Sequence, residues 1–80
     1  MTKTKLLSLI LRNTQIPITE IKCKEQPQSK ATVSIYSNNN CLYEEVFSLS
    51  ELKKIAKCVL ASDDIDPRIE GLFSDAYAVM

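Results

Sequence analysis

Asp63, Asp64 and Asp66 form the tightest cluster of carboxylates in this chain, and such a cluster could in principle hold a divalent cation. Their spacing does not suit that task. A calcium loop needs a glycine at its bend and a bidentate glutamate at its end, and neither stands in register here. The same aspartates lie just before and at a helix start, where carboxylates accept bonds from free amides and oppose the helix dipole. Capping explains them better than metal binding, and no metal or cofactor is expected.

Glu44 and Glu45 are the other candidates for acid–base chemistry. They are adjacent on an extended segment, so their side chains leave opposite faces and do not share one substrate. The chain has no histidine, which removes the usual neutral-pH general base, the Cys-His and Ser-His-Asp arrangements and imidazole metal ligation. Gly71 is its only glycine, too few for a phosphate-cradling loop. These residue types point away from an enzyme.

What remains is recognition. Tyr36, Asn38, Asn39, Asn40 and Tyr43 combine amphipathic rings with adaptable amides around a turn, a composition suited to protein contact. The bland alternative is an ordinary hairpin whose tyrosines face the core. Asp63, Asp64 and Asp66, with Glu44 and Glu45, could imitate a nucleic-acid backbone and occupy a basic groove on another protein. Conversely, Lys53, Lys54 and Lys57 lie on one helix face and could contact phosphates, with Tyr36 and Tyr43 as stacking groups. Lysines opposite an apolar stripe more often serve only to solvate a helix. A helix-turn-helix reader is disfavoured because the last helix carries Glu70 and Asp75 against Arg68 alone.

The elements that must position these residues are clearest in the C-terminal half. Ser48 and Glu51 have the spacing of a capping box, and Phe47 with Leu52 that of a hydrophobic staple. Leu52, Ile55, Ala56, Val59 and Leu60 then recur at helical spacing, with the lysines opposite. A second helix is announced by Asp66 as cap and Pro67 at the first helical position. Its core stripe is Ile69, Leu72, Phe73, Ala76, Tyr77 and Met80, and Gly71 should weaken it by roughly 1 kcal/mol relative to alanine. Either packing outweighs that penalty or another backbone approaches there.

Upstream, residues 31 to 36 and 41 to 47 are rich in β-branched and aromatic types around Ser37, Asn38, Asn39 and Asn40, which predicts a hairpin. A two- or four-residue loop sets Ile35 opposite Leu42, a three-residue loop sets it opposite Tyr43, and both registers stay open. Residues 18 to 24 alternate weakly and predict a further strand bounded by Pro27, with Ile21 and Cys23 on one side and Lys22 and Lys24 on the other. Residues 25 to 30 are the expected flexible stretch. Residues 3 to 12 predict a helix capped by Thr2, with a buried strand as the alternative. Their apolar run is too short for a secretory signal or a membrane span.

Eighty residues with zero net charge suit one small domain, whose limited core leaves room for a partner or for self-association as a homodimer. Charge is polarised: residues 1 to 30 carry net +4 and residues from 61 onward net −4. Cys23, Cys41 and Cys58 form no C-x-x-C pair, so they are expected to be reduced and half-buried in a cytoplasmic protein. The sequence thus predicts an α+β fold, a small antiparallel sheet covered by helices in the order α-β-β-β-α-α. The expected function is a small non-enzymatic protein-binding module, an adaptor or stoichiometric inhibitor of a larger macromolecular complex. The alternative is a nucleic-acid-associated regulator acting through Lys53, Lys54 and Lys57, and no membrane association is expected.

Overall fold

A computed structural model describes residues 2–13 and 15–79. The element order is α1 (Lys3–Arg12), β1 (Glu20–Gln26), β2 (Lys30–Ser37), β3 (Asn40–Ser48), α2 (Leu49–Ala61) and α3 (Pro67–Ala78). The strands form one antiparallel meander with β2 in the centre. This is the small α+β fold the sequence predicts.

Side-chain alternation divides the sheet into two unlike faces. Ile21, Ala31, Val33, Ile35 and Phe47 point to one side and join a core with Leu7 and Leu11 of α1, Leu52, Ile55, Ala56 and Val59 of α2, and Ile69, Phe73 and Ala76 of α3. All three helices therefore pack on that side. The opposite face is uncovered and carries Lys22, Lys24, Thr32, Ser34, Tyr36, Glu44 and Val46. Most of this surface is polar, as expected of a sheet packed on one side only.

The helix starts follow their sequence signals. Thr2 accepts a bond from the Lys5 amide, and Ser48 and Glu51 complete the reciprocal capping box at α2. Asp66 accepts from the Arg68 amide at 2.8 Å, with Pro67 beside it at the start of α3. Burial along α2 is narrower than expected. Leu52, Ile55, Ala56 and Val59 fill the stripe, whereas Leu60, at its flank near the helix end, is 43% exposed. Val79 is exposed, and Met80, expected to complete the stripe of α3, lies outside the described residues.

Between the strands, the outcome turns on backbone geometry. Asn38 and Asn39 both adopt positive φ (50° and 73°), and Ser37 pairs with Asn40, so the loop has two residues. These dihedrals suit the primed turn that matches strand twist. A bulge follows: Tyr36 pairs with Cys41 and Ile35 with Tyr43, leaving Leu42 as the extra residue. The structure thus joins the short loop to the register expected of the longer one.

The predicted strand at 18 to 24 is shifted to Glu20–Gln26, with Ile18 a buried core residue of the preceding connection. Residues 25 to 30 are not an open loop. Gln26 pairs with Lys30 across Pro27, Gln28 and Ser29, and the Ser29 carbonyl accepts from the Leu49 amide at 2.9 Å, tying this turn to the start of α2.

Candidate functional site

Hydrogen bonds through Thr19, Ile18 and Arg68 link the asparagine turn to the start of α3. The Thr19 amide donates to the Tyr36 carbonyl at 2.9 Å, and the Asn38 amide donates to the Thr19 hydroxyl at 2.9 Å. The neighbouring Ile18 carbonyl accepts from Arg68 Nη1 at 2.6 Å. Arg68 lies in the first turn of α3, just after the Asp66 cap, so this relay fastens the asparagine turn to the start of that helix. Asn38, Asn39, Asn40, Asp63, Asp64 and Asp66 are all exposed there. The end is acidic and amide-rich, and its backbone is fixed by hydrogen bonds rather than left to flex.

Asp66 and Asp64 also take part in local bonds, Asp66 through its carboxylate and Asp64 through its backbone amide. Asp66 caps α3, while the Asp64 amide donates to the Ser62 hydroxyl at 3.2 Å. Among the described residues, no three His, Cys, Asp or Glu side chains converge as a metal site.

The remaining predicted residues are dispersed. Tyr36 lies beside the turn on the uncovered face, half-buried, with the Lys22 ammonium 5.2 Å from its ring centroid. Tyr43 pairs with Ile35 and turns to the helix side, where its hydroxyl is buried with no hydrogen-bond partner among the described residues. Burial, with help from the Glu45 charge, raises its phenol above the ordinary range. The two tyrosines therefore occupy opposite faces, because positions 36 and 43 fall out of phase across the bulge, and they make no common contact or stacking surface.

Glu44 and Glu45 also diverge. Glu44 accepts from the Ser34 hydroxyl at 3.1 Å on the uncovered face. Glu45 folds back to accept the Val46 amide at 3.2 Å, while Lys3 Nζ donates to the Val46 carbonyl at 2.8 Å. Together Lys3 and Glu45 occupy the outward backbone groups of Val46 on the edge strand β3, where another strand would otherwise add.

Lys53, Lys54 and Lys57 are all exposed on α2, but Lys53 borders the α3 side beside Tyr77 and Lys54 the α1 side. Lys54 faces Lys5 across a groove between α1 and α2 that the sequence reading missed. No pattern within either helix announces it, since it exists only where the two helices meet. The groove is floored by Ile55 and Val59, has a volume of about 460 Å³, and includes Cys58. Cys58 and Cys41 are exposed, and only Cys23 is half-buried as expected. The other two fall on a helix flank and beside the bulge, where the core does not reach.

No family model, curated protein or solved structure matches this chain.

Proposed function

We propose that this chain is a small protein-binding module, an adaptor or stoichiometric inhibitor that acts by occupying a basic surface on a larger partner rather than by catalysis. It works in the cytoplasm, where its three thiols stay reduced. The contact surface is the end bearing Asn38, Asn39, Asn40, Asp63, Asp64 and Asp66, with Tyr36 beside it. One observation supports this above the others: the relay through Thr19, Ile18 and Arg68 that ties the asparagine turn to the start of α3, the helix Asp66 caps. A pre-organised surface binds with less ordering cost than a mobile one, and its charge favours a basic partner.

The test is capture from host lysate with nuclease present, followed by titration with the purified partner. Saturation at fixed stoichiometry is expected. Asp63→Lys with Asp64→Lys should weaken binding by about tenfold or more, roughly 1.4 kcal/mol. Asp66 is left intact because it caps α3. If that pair of substitutions leaves affinity unchanged, the surface is wrongly assigned.

A nucleic-acid-associated role has one supporting observation, the exposure of Lys53, Lys54 and Lys57 along α2. It would appear as nuclease-sensitive capture and as affinity that falls steeply with salt.

A further inference from the structure

We infer that the groove between α1 and α2 binds a small amphipathic carboxylate, its apolar body on Ile55 and Val59 and its head group between Lys5 and Lys54. At about 460 Å³ the groove has the size of a small-molecule site rather than a seat for a whole helix. Its floor is apolar, while Lys5 and Lys54 stand on opposite helices at the mouth. Among the described residues neither lysine is in an ion pair.

The one carboxylate in the lining, Glu51, is already committed. It accepts the Ser48 amide at 3.1 Å within the capping box, and that bond holds its carboxyl below the ordinary glutamate range. The Thr4 hydroxyl bonds that of Thr2, and the Ser8 hydroxyl accepts from the Arg12 guanidinium, which leaves the Ser8 O–H free to donate to a head group. Two ammoniums against one carboxylate leave the site a net positive charge above an apolar floor, although Glu51 lies near enough to Lys54 to feel its charge. A ligand with one anionic group and a short hydrocarbon body complements both.

Cys58 lines the groove and Cys41 does not, so the protein carries its own reporter and control. Octanoate is the probe, and the readout is the iodoacetamide alkylation rate of each thiol by mass spectrometry. Octanoate at about ten times its Kd should slow Cys58 roughly tenfold while Cys41 is unaffected. Lys5→Gln with Lys54→Gln, both exposed positions, should abolish the protection without unfolding the chain.

Equal protection by 1-octanol would overturn the assignment of an anion site. Slowing of both thiols, or of neither, would overturn the groove itself. Protection of Cys58 that grows with protein concentration and needs no octanoate would assign the groove to a second copy instead. None of these outcomes depends on the acidic end of the molecule, so this proposal and the protein-binding one fail separately.

Discussion

Cys23 shows how position in the sheet decides the chemistry of a side chain. It faces the helices from β1, opposite Val33, and burial pushes its thiol from the ordinary 9.0 up to about 11. At about pH 8 the protein should therefore show two readily alkylated thiols, Cys41 and Cys58, and a third, Cys23, that reacts far more slowly until the chain unfolds. The same shift has a signed effect on stability. The folded state holds the Cys23 proton to higher pH than the unfolded chain does, so this contribution is intact below pH 9.0 and declines as pH rises toward about 11. Urea midpoints measured across that window should fall less in Cys23→Ala than in the parent. Equal alkylation of all three thiols in the native protein would mean that the core does not shelter Cys23.

At the scale of elements, the helices were the most legible part of the chain. Thr2, Ser48, Asp66 and Pro67 each supply a start signal that depends only on neighbours a few residues away, and α1 spans the predicted Lys3–Arg12. Strand pairing was less legible. The Leu42 bulge depends on how two strands align across a turn, which alternation along one strand does not encode. Gly71 was ambiguous for a related reason. A methyl group added there meets nothing within 4 Å, so close approach of another backbone does not account for the glycine. Two substitutions should then move stability in opposite directions. Gly71→Ala should stabilise by about 0.5–1 kcal/mol, and Ser48→Ala, which removes a cap, should destabilise by about 1 kcal/mol. In a domain of this size each shifts Tm by roughly 4–8 °C per kcal/mol, within reach of calorimetry.

Across the whole molecule, the candidate site was legible in its residue types but not in their grouping. Asn38 and Asp66 are each recognisable as turn or cap residues, but the link between the turn and the start of α3 runs through Thr19, Ile18 and Arg68, which carry no local signal of it. Tyr43 is grouped with the turn by nearness in sequence, and Glu44 and Glu45 with the aspartates by charge, whereas the bulge and strand alternation send Tyr43 and Glu45 to the helix side and Glu44 to the uncovered face. The α1–α2 groove was invisible for the same reason, since its two walls lie in the first and last thirds of the sheet-spanning order.

The meander pairs every strand with its neighbour in sequence, whereas the contacts that clasp its flanking helices reach across much longer separations. Lys3 meets Val46 over 43 residues, and Arg68 meets Ile18 over 50. Neighbour pairing closes short loops and is kinetically cheap, while the long closures come at greater entropic cost. Assembly should accordingly begin with the β1–β2–β3 ribbon and end with docking of the terminal helices. Arg68→Ala, which removes a charge-assisted bond worth about 1.5–3 kcal/mol, should accelerate unfolding roughly tenfold or more and barely slow refolding. Stopped-flow measurements that showed the reverse would place the α3 clasp inside the folding nucleus. With the ribbon forming first, the acidic end is the last part of the molecule to acquire its shape and the first to lose it, so its working lifetime is set by the rate at which α3 lets go.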